Sequence, residues 1–172
     1  MSAPARWDAD EALESLYAAH WRQLVRLSVL LVRDVGTAEE IVQDAFVAMH
    51  GRWRRLREPD KALAYLRQAV VNGSRSVLRH RGVVERHASR QRPPDDVAPA
   101  DQSALAHARR ELVLDAIRSL PQRQREVLAL RYYVDLSEAD IAETLGISRG
   151  AVKSHASRGA AALRDLLNGA DL

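Results

Sequence analysis

The chain has 172 residues, enough for one medium domain or two small ones. Its 47% hydrophobic content can build a core and its 28% charged content favours solubility, while the lack of cysteine excludes disulfides and thiolate metal sites, and no apolar run approaches the roughly 20 residues of a membrane span. The net charge of +3 hides a gradient: residues 1–51 carry 4 Lys/Arg against 8 Asp/Glu, residues 52–92 carry 12 against 3, and residues 93–172 carry 10 against 12.

A basic middle between acidic flanks suits a polyanion, and equally a solvated Arg-rich surface. The opening MSAPARWDADEALESL has no signal-peptide apolar core, so a reducing, cytoplasmic location is expected. The first predicted helix runs from about Glu11 to Val32, with Leu13, Leu16, Tyr17, Leu24, Leu27 and Leu31 at helical spacing. The second opens in GTAEEIVQDAFVAMH, where Thr37 and Glu40 have capping-box spacing. Ile41, Val42, Ala45, Phe46 and Met49 form its buried face.

A third helix starts at EPDKALAYL, with Pro59 stopping what precedes it and Asp60 placed to cap, and extends to about Arg81. Leu63, Leu66, Val70 and Val77 form its core face. Tyr65, Gln68, Asn72, Arg75 and Arg79 form a second row, spaced 3, 4, 3 and 4. An aromatic, two amides and two guanidiniums in one row suit unstacked bases and their phosphates. By themselves they equally suit the polar exterior of an amphipathic helix, and the preceding RWRRLR run is as open.

The segment VVERHASRQRPPDDVAPADQ, Val83 to Gln102, has three prolines and no apolar period, which is linker composition. Beyond it a helix is expected over about Ala104 to Ser119, and another in PQRQREVLALRYYV with Pro121 in its first turn. From Ser137 the pattern is that of a helix-turn-helix. Ser137 and Asp140 cap the first helix, Ala142 is small at the crossing, Gly146 supplies positive φ, and Ser148 caps the second helix. Ile147 and Val152 plug the joint; an ordinary αα-hairpin is the alternative.

The second helix begins SRGAVKSHASR, with Arg149, Lys153, His155 and Arg158 and no acid. The segment before it, DLSEADIAETLGI, has four acids and no base. In a helix-turn-helix the second helix enters the major groove, so it should carry bases. Arg149, Lys153, Ser154, Ser157 and Arg158 fall on the face away from Val152 and Leu163, where Arg or Lys can reach guanine edges and Ser can reach phosphate or base. An enzyme is disfavoured: the six histidines are scattered, and no HExxH, Ser elbow or Gly-rich phosphate loop is present. No metal site and no cofactor are expected.

TAEEIVQDAFVAMHGRW, AYLRQAVVNGSRSVLRHR, a Pro-rich linker and LPQRQREVLALRYYVDLSEADIAETLGISRGAVKSHASRGAAALR together resemble a bacterial sigma factor of the sigma-70 superfamily. More narrowly the chain resembles the small extracytoplasmic-function group, in particular its actinobacterial SigE-like members, over about Leu13 to Leu167. The DNA-binding end of response regulators is the nearest rival, but those usually carry an α/β receiver in front, and no strands are expected here.

The resemblance implies an all-α fold: sigma domain 2 over 10–82 and sigma domain 4 over 104–168, joined by a flexible Pro-rich linker over 83–103. It implies a non-catalytic initiation factor whose partners are promoter DNA, core RNA polymerase (β′ clamp helices and β flap) and an anti-sigma factor, with no membrane insertion. By position it puts Gln43, Asp44 and Phe46 at the core-polymerase contact. It assigns Tyr65, Gln68, Asn72, Arg75 and Arg79 to the melted −10 strand, with Asn72 beside the pocket for a flipped base and Tyr65 where many members have Trp. It matches Lys153, Ser154, Ser157 and Arg158 to the reader of the −35 duplex, with Ser157 where members often have a bulkier residue; Arg149 joins them by its place on the same face.

Overall fold

The computed structural model describes residues 9–56, 58–87 and 102–169, and every regular element among them is helical. Helices α1 (Ala9–Val32), α2 (Val35–Arg52) and α3 (Ala62–His87) pack against one another in the N-terminal half. Helices α4 (Gln102–Ser119), α5 (Gln122–Leu128), α6 (Glu138–Leu145) and α7 (Arg149–Asn168) make the C-terminal half. Short 3-10 turns at Trp53–Arg55 and Pro59–Lys61 join α2 to α3.

The expected periodicities become the core. Leu24, Leu27, Leu31 and Val32 of α1 meet Ile41, Val42 and Met49 of α2 and Leu66, Val70 and Val71 of α3, all buried. Each such aliphatic side chain contributes about 1.5–3 kcal/mol by leaving water. One polar pair lies inside this bundle: the hydroxyls of Ser28 and Ser74, 3.2 Å apart, satisfy each other. Gly73 lets α3 approach α2 closely, since a Cβ there would lie 2.9 Å from Ile41 Cγ2.

Helix α2 starts earlier than the Thr37–Glu40 spacing suggests. Its N-cap is Asp34, whose carboxylate accepts the Thr37 amide at 2.7 Å and also the Thr37 hydroxyl. Arg33, at φ 68°, turns the chain to place that cap. The reason is chemical: a carboxylate three residues before a free amide is a stronger acceptor than a hydroxyl. Thr37 is instead bridged from the other side by Arg81 Nη2 at 2.9 Å.

Helix α3 runs five residues past the expected start of the linker, through Val83 to His87. The Pro-rich stretch expected to be flexible falls mostly at 88–101, outside the described residues. In the C-terminal half, the single helix expected over PQRQREVLALRYYV changes pitch. After α5 the chain takes a π turn over Ala129–Tyr133, closed by Val134 N–H to Ala129 O at 3.2 Å. The widened turn leaves Tyr132 exposed while burying Leu130.

The two halves are packed together. Helix α1 touches α4 and the π turn, and α3 touches α6. Arg125 reaches from α5 to the C-terminal carbonyls of α1, with Nη1 3.0 Å from Leu31 O. Those carbonyls lack helical partners, and a guanidinium both satisfies them and opposes the helix dipole. Arg33 and Asp115 form a second tie at 2.6 Å.

Candidate nucleic-acid interface

Helices α6 and α7 form the helix-turn-helix that the caps and Gly146 indicate. Ser137 accepts the Asp140 amide at 3.1 Å and Ser148 accepts the Ala151 amide at 3.1 Å. Gly146 has φ 64° and ψ 39°, the left-handed geometry that ends α6 and aims α7. Val152 and Ala156 are buried against the rest of the domain, and Ile147 packs on the same core. Gly159 lets α7 close on α5, where a Cβ would meet Gln124 Cβ and Leu128 Cδ1 at 3.1 Å.

With that face inward, Arg149, Lys153, Ser154, Ser157 and Arg158 all lie exposed on the outer side of α7. Arg158 donates to Ser154 Oγ at 2.7 Å, which holds both groups on one patch. Lys153 Nζ lies 3.8 Å from Glu138, a weak exposed pairing that a phosphate can replace. His155, quoted with the basic run, turns partly inward, and its Nδ1 is buried without a partner.

The polar row of α3 divides. Gln68, Asn72 and Arg79 are exposed, Tyr65 is half-buried, and Arg75 is largely covered. Arg52 lies over the Tyr65 ring, 5.6 Å from its centroid, which adds one cation beside the row. Arg75 is held by Glu126 of α5: Nε and Nη2 each donate to one carboxylate oxygen at 2.7 Å. Asn72 Oδ1 accepts from Arg75 Nη1 at 3.3 Å.

Glu126 is the residue that the sequence reading passed over. It lies in an apolar run, REVLAL, and that placement of an acid was the available signal. Its side chain is 2% exposed and also accepts from Gln122 at 2.9 Å and Arg123 at 3.3 Å.

On α2, Gln43 and Asp44 are exposed while Phe46 is buried, edge-on to Tyr17 at 5.3 Å. A separate apolar groove of about 870 Å³ lies between α4, α7 and the π turn. Val113, Ile117, Tyr132 and Leu163 line it, and Arg109, Arg110 and Arg164 edge it. Among the described residues no helix is long and apolar enough to cross a membrane.

Two family patterns match this chain: Sigma-70 region 2 over residues 16–84 and Sigma-70, region 4 over residues 110–163. An RNA polymerase sigma-E factor of Streptomyces avermitilis is 36% identical over 149 residues, covering 87% of this chain and 81% of that protein. The ECF RNA polymerase sigma factor SigM of Mycobacterium tuberculosis is 32% identical over 157 residues, covering 91% of this chain and 77% of that protein. The sigma factor RpoE of Bartonella quintana, solved with the anti-sigma factor NepR, shares the fold at a TM-score of 0.73 and 22% identity, covering 90% of this chain and 96% of that one.

Proposed function

The chain belongs to the sigma-70 family of RNA polymerase sigma factors, in its ECF group, and directs transcription initiation as a non-catalytic polymerase subunit through regions 2 and 4; on that premise we propose how the work is divided between its halves. Domain 4, over 104–168, reads duplex −35 DNA with Arg149, Lys153, Ser154, Ser157 and Arg158. Domain 2, over 10–82, captures the melted −10 strand with Tyr65, Gln68, Asn72, Arg75 and Arg79. The linker is the segment that joins α3 to α4. The observation that carries this reading is the outer face of the first half of α7, Arg149 to Arg158, which is polar, cationic and free of acids while its inner face is apolar.

Binding at −35 combines phosphate neutralisation with hydrogen bonds to base edges. Capture at −10 offsets the cost of unstacking a base by seating it against protein. Gln43 and Asp44, exposed on α2, contact the β′ clamp helices, with Phe46 supporting them from the core. The apolar groove beside α7 suits a partner helix, and the β flap of polymerase is its occupant in the working complex. An anti-sigma factor is a further partner, supported by a solved sigma factor of this fold that is bound to one. The protein acts in the cytoplasm, beside its DNA.

The test is run-off transcription with bacterial core polymerase on a genomic promoter library, with and without the protein. Protein-dependent transcripts sharing two spaced motifs are expected. Sequence-specific duplex binding without initiation would overturn the division of labour.

A further inference from the structure

Lys153 is the least constrained of the cations on the outer face of α7. Its side chain is 66% exposed, and an ammonium on a flexible stem bonds a phosphate as well as a guanine edge. Alone, such a lysine would add affinity for any duplex. The neighbouring helix sets an acid beside it. Glu138, the first residue of α6, has Oε2 3.8 Å from Lys153 Nζ and Oε1 3.4 Å from Arg131 Nη1.

Three elements hold that carboxylate in place, and its side chain is only 25% exposed. Ser137 caps α6, and the free amides of a first helical turn favour an acid there. The π turn over Ala129–Tyr133 carries Arg131, whose guanidinium lies 5.8 Å from the centroid of the Tyr132 ring. Arg131 takes one oxygen of Glu138 and leaves the other beside α7.

We propose that Glu138 is a positioning residue of the −35 reader: it turns Lys153 away from phosphates and toward a guanine edge. The inference rests on the assignment of Lys153 to the −35 duplex. The Lys153–Glu138 pair is exposed and weak, so the ammonium can leave it for DNA. The carboxylate stays behind, tied to Arg131. A phosphate that follows Lys153 brings a full negative charge close to Glu138 and is repelled. The O6 and N7 acceptors of guanine are uncharged and meet no such repulsion. Non-promoter duplex offers phosphates in every register and the correct guanine in few. The repulsion therefore falls mainly on non-specific binding and raises the specificity ratio.

The experiment uses holoenzyme assembled from the full chain, on a promoter found by run-off transcription and on its single-pair −35 variants. Abortive initiation is measured at limiting holoenzyme, with non-promoter duplex as competitor. Lys153→Ala marks the base pair that Lys153 reads, as the pair where discrimination is lost. Glu138→Gln, which leaves Arg131 an acceptor, is expected to lower discrimination at that pair by roughly threefold or more. It should also lower the competitor needed for half-inhibition by a similar factor, with the other −35 pairs read as before. Asp165→Asn removes the same charge at an exposed position late in α7 and is expected to change neither. Glu138→Gln should add nothing to discrimination in the Lys153→Ala background. Unchanged discrimination in Glu138→Gln overturns the proposal. So does an equal loss in Asp165→Asn, a loss spread evenly over the −35 pairs, or a full effect without Lys153. If Lys153→Ala leaves every pair discriminated, the assignment of Lys153 itself fails and the proposal falls with it. If Lys153→Ala loses one pair and Glu138→Gln loses none, the assignment stands and only the role of Glu138 fails.

Discussion

Gly73 of α3 lies directly against Ile41 of α2, so closely that a methyl group at 73 would sit 2.9 Å from Ile41 Cγ2. This contact fixes the spacing between the helix proposed to face polymerase and the helix proposed to face DNA. The neighbours Val42 on α2 and Val70 on α3 are fully buried. Gly73→Ala is expected to destabilise domain 2 by about 1–3 kcal/mol through overpacking. A shift of the urea midpoint to lower concentration, with an unchanged slope, is the measurement; equal or greater stability would show that the helices separate freely.

The Asp34 cap makes stability depend on pH. Hydrogen bonds from the Thr37 hydroxyl and then the Thr37 amide hold its carboxyl below the usual aspartate range, with Arg81 adding a smaller effect against weak desolvation. A carboxyl with a lower pKa in the folded state stabilises above its unfolded pKa and loses that effect as pH falls through the folded one. Asp34→Ala should therefore cost about 1 kcal/mol at neutral pH. The gap from the parent should close as pH drops below about 4. A gap independent of pH in denaturation series would remove the ionised cap from the account.

On α7, Lys153→Ala with Arg158→Ala should abolish −35-dependent transcription and leave binding to core polymerase intact. The slope of log affinity against log salt for promoter duplex should fall in magnitude by about 2 for the pair. Full promoter output from the double variant would place the reading face elsewhere.

Asn72 is exposed, and its side chain accepts from Arg75. Asn72→Ala should slow open-complex formation roughly tenfold, within the range for losing one base contact, while closed-complex binding stays near normal. Permanganate footprinting over time separates the two steps. Equal reactivity at −10 would remove Asn72 from the pocket.

Asp44 projects from α2 beside Gln43, while Phe46 points into the aromatic cluster with Tyr17 and Trp21. Asp44→Arg should weaken association with core polymerase by about tenfold or more without changing the helical signal. Co-elution at parental concentrations would take Asp44 off that surface.

Much of the fold was legible because its signals are local. Helical faces repeat every 3.6 residues, so Leu24, Leu27 and Leu31, or Ile41, Val42 and Met49, declare a buried stripe without any tertiary knowledge. The caps at Ser137 and Ser148 act over three residues, and the turn at Gly146 is a property of one backbone position. Those features alone orient α7 with its cations outward. The Thr37–Glu40 spacing misled because Asp34, one turn earlier, offered the better acceptor.

By itself, then, the sequence determined the helices, the helix-turn-helix and which side of α7 meets solvent. Only the tertiary structure decided that Arg75 faces Glu126 across 51 residues, that Arg125 caps the end of α1 from 94 residues away, and that the chain widens into a π turn over Ala129–Tyr133. The reason is physical. Periodicity and capping are short-range and add up along one helix, whereas an ion pair between domains depends on how two finished surfaces meet. An arginine in a polar row reads the same whether a phosphate or a glutamate lies opposite, and only the packing of α5 on α3 supplies the glutamate.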